Sequence, residues 1–136
     1  MNYFKDSDFY NIKTMDKLLL AQLDNFRDAL DVPLLITSSN SPEQIHTPNS
    51  MHPKGLAVDV VLVPSRTVCT HYVWLLALCY FNAVGYYSDD YWHFDMRPLS
   101  PGQPKLFWYG RNRPENIEYF YAGSQEISSL ILGIKT

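Results

Sequence analysis

The run Leu56-Ala57-Val58-Asp59-Val60-Val61-Leu62-Val63 limits the folds open to this chain more than any other stretch. Its residues are apolar, and largely β-branched, on both alternating faces, which is the composition of a strand covered on both sides inside a sheet. Asp59 stands in the middle of it. A lone carboxylate there costs several kcal/mol unless it is paired, protonated or bound to a cation. The strand is therefore expected to bring that charge to a partner, and a metal is the strongest candidate.

Just upstream, Ser50-Met51-His52-Pro53-Lys54-Gly55 supplies an imidazole, with a glycine where a loop can turn into the strand. A second group follows in Asp90-Tyr91-Trp92-His93-Phe94-Asp95. In a strand, a period of two puts His93 and Asp95 on one face and Trp92, Phe94 and Met96 on the other. Two histidines and one carboxylate form the three-residue shell of a catalytic zinc, whose fourth position stays open to water. His52, Asp59 and His93 are the expected ligands of one zinc per chain.

The rest of the chain is read as the frame for that site. Its 136 residues suit one domain with a real core. From Thr14, a candidate N-cap, Met15, Leu18, Leu19, Leu23, Phe26 and Leu30 recur at helical spacing, and the helix must end before Pro33. Leu34 to Thr37 reads as a short strand, and Ser38 to Met51 as a Ser/Asn/Pro loop ending at the first ligand. A second helix is expected from a cap at Ser65 or Thr67 to about Tyr80, with Val68, Tyr72, Leu75, Leu76 and Cys79 as its apolar side. Ala83 to Tyr87 and Tyr91 to Met96 read as strands joined by the Ser88-Asp89-Asp90 turn. After Arg97, prolines at 98, 101, 104 and 114 point to a less regular segment, and Glu126 to Ile134 to a closing helix. Cys69 and Cys79 fall in one expected helix, roughly 15 Å apart, too far for a disulfide, and read as buried small hydrophobes. The expected class is α+β: a small, mainly antiparallel sheet with helices on one side and the zinc near its exposed face.

The pattern Ser, any, His, any two, Gly, any, Ala, any, Asp over residues 50–59, followed by acid, any, Trp, His over residues 90–93, resembles the signature of the zinc D-alanyl-D-alanine carboxypeptidases, D-Ala-D-Ala dipeptidases and L-alanyl-D-glutamate peptidases. These cleave stem peptides of bacterial peptidoglycan, and the hedgehog signalling domain shares their fold. The resemblance covers roughly residues 14 to 97, and Trp108 is a candidate for the tryptophan that some members place later. It implies a zinc peptidase in which His52, Asp59 and His93 hold the metal and Asp90 is the general base. By the same resemblance Ser50 would bind substrate. Asp95 would orient an imidazole rather than ligate.

Two departures from that pattern bear on activity: many members have glutamate where this chain has Asp90, one methylene shorter in its reach to the water, and the second is a missing arginine. Many members carry an arginine shortly after the first strand, in a Ser-Gly-Tyr-Arg stretch, where this chain has Ser38-Ser39-Asn40-Ser41. Either Arg97 or Arg66 supplies the cation, or the substrate needs none, or activity is impaired. Without that cation, endopeptidase action inside the stem is expected over removal of a terminal D-alanine, whose free carboxylate would gain from one. Plainer readings stand beside these: Asp90 as a turn residue with Asp89 in its place, Ser50 as a loop cap, His46 and His71 as structural or solvated, and the ten tyrosines and three tryptophans as core or as a groove lining.

A net charge of −3 gives no basic footprint for nucleic acid. The polar start Met1-Asn2-Tyr3-Phe4-Lys5-Asp6 lacks the features of a secretory signal, and no apolar run is long enough to insert in a membrane. The expectation is a product made in the cytoplasm that reaches the cell wall after lysis or as part of a virion, as a bacteriophage protein would. The alternative class is a zinc-holding binding module of the same fold without turnover.

Overall fold

A computed structural model describes residues 1–42, 50–65 and 67–121. The expected closing helix at 126–134, His46 and Arg66 lie outside the described residues. The described part is α+β, with two helices and one six-stranded, mostly antiparallel sheet.

Helix α1 spans Lys17–Leu30. Its cap is Asp16, whose carboxylate accepts the Leu19 N–H at 2.9 Å; the expected cap Thr14 instead closes a short 3-10 turn, Ile12–Thr14. The helix stops at Leu30 because Asp31 takes a left-handed conformation (φ 56°) and returns its N–H to the Arg27 carbonyl, two residues before Pro33. Leu19, Leu23, Phe26 and Leu30 form its buried face.

Helix α2, Thr70–Leu78, differs from expectation in length and in orientation. Neither Ser65 nor Thr67 caps it: Cys69 stands at the cap, and the Thr67 hydroxyl donates to the Pro64 carbonyl. Val73, Trp74 and Ala77 are its buried residues, whereas Tyr72, Leu75 and Cys79 are exposed. The segment is apolar nearly all round, so periodicity could not choose the inner face; Trp74 does, by burying its large side chain against Trp92, Tyr86 and Phe107. Cys69 and Cys79 are both free and exposed, not buried.

The strands are β1 (Leu34–Ser38), β2 (Ala57–Leu62), β3 (Ala83–Tyr87), β4 (Trp92–Asp95), β5 (Leu106–Asn112) and β6 (Ile117–Tyr121). They lie in the order β1-β2-β4-β3-β5-β6, antiparallel except for the β3–β5 pair. The segment after Arg97 is thus more regular than its prolines suggest. Those prolines fall before β5 and between β5 and β6, while Leu106 to Asn112 is rich in aromatic strand formers.

One sheet face carries Val58, Val60, Leu62, Val84, Trp92 and Phe94 against both helices. Phe26 is fully buried at its centre, 5.0 Å from Phe94 and 5.6 Å from Phe81 by ring centroid. Truncating such a phenylalanine costs about 3–5 kcal/mol. Because the side-chain period is two, this packing drives Asp59, His93 and Asp95 to the other face. Among the described residues no helix is long and apolar enough to cross a membrane.

Candidate metal centre

Asp59 and His93 are direct neighbours across the β2–β4 pair, so the sheet register itself brings them together. His52 comes from the loop before β2. That loop folds back through Gly55 N–H to His52 O and Leu56 N–H to Met51 O. Gly55 has φ +72°, and a Cβ there would stand 2.1 Å from the Thr14 carbonyl oxygen. Its own carbonyl takes the Asp16 N–H at 2.9 Å. A glycine is therefore required both by conformation and by close approach, and it docks the His52 loop onto the start of α1.

The three side chains converge on one point. His52 Nε2 lies 3.2 Å and His93 Nδ1 3.0 Å from the same oxygen, Asp59 Oδ1. One ligand atom from each residue falls within 4.8 Å of the others, so the cluster could hold one metal ion. Both histidines are buried and Asp59 is partly so.

The outer nitrogens decide the chemistry. His52 Nδ1 is 2.8 Å from the Ser39 carbonyl, and His93 Nε2 is 2.8 Å from the Asp95 carboxylate. A carbonyl and an ionised carboxylate only accept, and so does the Asp59 carboxylate on the inner side; with a cation at the inner nitrogens, the proton of each neutral ring sits on the outer one. This is the tautomer a metal ligand needs. The donor set and its supports fit a bound cation.

Asp95 is itself fully buried and held by Arg97, through the backbone N–H at 3.0 Å, Nε at 2.9 Å and Nη2 at 2.6 Å. Burial would raise its carboxyl pKa, and the bonds from Arg97 and His93 outweigh that and lower it. For Asp59, burial also pushes upward, and the hydrogen bonds from His52 and His93 bring it down to about 2. Burial would lower His93, and Asp59 and Asp95 together lift it to about 9. In the metal-free protein a proton on His93 thus takes the place of a cation beside Asp59.

The cluster opens onto a cavity of about 530 Å³. Four of its lining residues, Asp59, His93, Trp108 and Tyr121, share one register row with Gly85 across five strands. A Cβ on Gly85 would lie 2.4 Å from Trp108 Nε1, so this glycine is what lets the indole reach toward His93, 5.4 Å away by ring centroid. Tyr87, Tyr91 and Tyr119 extend the aromatic wall.

The other residues singled out in the sequence fare differently. Ser50 lines the cavity, and its Oγ accepts the His52 N–H at 3.2 Å. Arg97 also lines it, but with Nε and Nη2 engaged by Asp95 and its guanidinium 5.4 Å over the Trp108 ring. Asp90 is not brought to the cluster. It has φ +64°, and its carboxylate accepts from the Tyr86 hydroxyl on the helix-covered face, among Leu62, Val73 and Trp92. The left-handed turn sends Asp90 to one side of the sheet and Tyr91 to the other. His71 lies in α2, half-buried.

Sequence reasoning reads Ser38 to Met51 as a loop leading to the first ligand but misses Ser39, whose carbonyl fixes His52. Tyr87, Tyr119 and Tyr121 were missed as cavity residues; the alternation Ile117, Tyr119, Tyr121 at period two was the available signal for the last two. The chain matches no family model, no curated protein and no solved structure.

Proposed function

We propose that the protein is a zinc metallopeptidase cleaving peptide bonds of the peptidoglycan stem. The observation that carries this reading is the His52-Asp59-His93 cluster, with a hydrogen-bond acceptor at the outer nitrogen of each imidazole and an open cavity beside it. Two nitrogens and one carboxylate oxygen suit zinc, and a shell of three protein ligands among the described residues is that of a catalytic rather than a structural site. Bound zinc would supply Lewis acidity and lower the pKa of a water there toward about 7.

The chain's own residues do the rest. Ser39 and Asp95 hold the two rings in place, and Arg97 holds Asp95. Trp108 packs beside His93 in the cavity lining. Ser50 offers a hydroxyl at the cavity wall. The stem as substrate rests on the sequence pattern over residues 50–59 and 90–93. Arg97 is the only Lys or Arg among the cavity-lining residues described, and its fork is committed to Asp95, which favours endopeptidase action over trimming of a free C-terminal carboxylate.

A second reading, a zinc-holding module without turnover, is favoured by one observation: Asp90, the expected base, faces the opposite side of the sheet. Digestion of purified muropeptides with and without a chelator, followed by mass spectrometry, separates the two. The peptidase reading expects chelator-sensitive cleavage within the stem. Release of free D-alanine alone would refute the endopeptidase assignment, and no cleavage by zinc-loaded protein would leave the binding module.

A further inference from the structure

We propose that Tyr87 is a catalytic residue of this site, its phenol O–H donating a hydrogen bond to the carbonyl oxygen of the scissile amide as negative charge develops there. This rests on the peptidase reading. Tyr87 ends β3, is 7% exposed and lines the same cavity as the cluster. Its hydroxyl oxygen accepts the Trp108 indole N–H at 3.0 Å, a group that can only donate. One lone pair is thereby used, and the phenol proton has no acceptor among the described residues. A buried hydroxyl whose donor is unspent beside a cavity is left to donate to what enters the cavity.

Its placement is built by two glycines. Gly85 clears the space that Trp108 Nε1 occupies, and a Cβ on Gly110 would stand 2.5 Å from Tyr87 Cδ1. Together they let the indole and the phenol lie low on the sheet and meet. The ring is then clamped, stacked on Tyr91 at 4.4 Å and edge-on to Tyr119 at 6.4 Å. A donor fixed before the substrate arrives loses nothing to reorganisation when charge develops. Burial keeps the phenol protonated well past its ordinary range; the Trp108 bond opposes this, and the charge on Asp59 adds to it. The group is therefore a donor rather than a base. Arg97 is engaged by Asp95, Asp90 lies on the far face, and the Tyr91 hydroxyl has no anchor among the described residues.

The test is Tyr87→Phe in the zinc-loaded full chain, on a stem-peptide substrate and on a phosphinic dipeptide analogue whose tetrahedral oxygens resemble the charged carbonyl. Zinc content and the visible spectrum of the cobalt-substituted protein should be unchanged. Turnover should fall about a hundredfold with KM within about threefold, and phosphinate affinity should fall at least about tenfold. Trp108→Phe, which frees the phenol without removing it, should lose about tenfold in turnover and serves if the first variant does not fold. Turnover and phosphinate affinity within about threefold of the parent in the folded variants would overturn the role of Tyr87 and leave the peptidase reading standing. A zinc-loaded parent that neither cleaves the peptide nor binds the phosphinate would overturn both.

Discussion

Replacing Asp95 by Asn keeps the size of the side chain and removes the one property the site uses, an acceptor on both oxygens. Asp95 Oδ2 takes the His93 Nε2 proton at 2.8 Å, while Oδ1 takes the Arg97 N–H at 3.0 Å and Nε at 2.9 Å. An amide presents one oxygen and one NH2. With the oxygen toward His93, its NH2 meets the N–H groups of Arg97, donor against donor. With the NH2 toward His93, Nε2 must accept, and the ring proton moves to Nδ1, the nitrogen that has to be bare for a metal. Losing such an outer partner costs about 10–100-fold in metal affinity, or about 1.4–2.7 kcal/mol. The metal-free protein also loses one partner of a buried ion pair, which costs about 3–5 kcal/mol in full burial. Arg97 is 26% exposed and can turn partly to solvent, so about 2–3 kcal/mol is expected. Competition against a chromophoric chelator measures the first quantity and urea unfolding of the metal-free protein the second. Affinity within about twofold of the parent in Asp95→Asn would refute the tautomer argument.

Gly55→Ala should destabilise the fold by about 1–3 kcal/mol, since the residue has φ +72° and its Cβ would meet the rigid Thr14 carbonyl; a change below about 0.5 kcal/mol on urea unfolding would show that the His52 loop does not depend on that contact. Stability of the metal-free protein should be bounded on both sides in pH. Asp59, lowered to about 2, contributes stability present above 3.8 and lost as pH falls through about 2. His93, raised to about 9, contributes stability fully present below 6.5 and lost as pH rises through about 9, so a thermal midpoint flat from pH 6 to 10 would contradict it. Because the metal must displace that proton, affinity should rise about tenfold per pH unit up to about 9, with one proton released in calorimetry across buffers of different ionisation enthalpy.

The parts of the fold and site that were legible in the sequence are those fixed by period and by charge. The β2 and β4 patterns put Asp59 and His93 on one face, and their pairing follows from burying Val58, Val60, Trp92 and Phe94 on the other. Where the pattern has no contrast, the sequence is silent. Thr70–Leu78 is apolar on every side, so its inner face was read through Tyr72 and Leu75 rather than Val73 and Trp74. The prolines after Arg97 obscured β5 and β6, since they bound the strands instead of interrupting them. Asp90 illustrates a third limit: spacing places a residue along the chain, but a single left-handed turn residue decides which face its carboxylate reaches. The support from Ser39 is a backbone carbonyl, which residue types do not reveal.

The central claim is that His52, Asp59 and His93 form one metal site, and elemental analysis of the purified chain tests it most directly. After zinc loading and removal of loosely held metal, the parent should retain one zinc per chain, while folded His52→Ala and His93→Ala variants should each lose it. A parent without stoichiometric tight metal, or retention of one equivalent in both variants, would contradict the account.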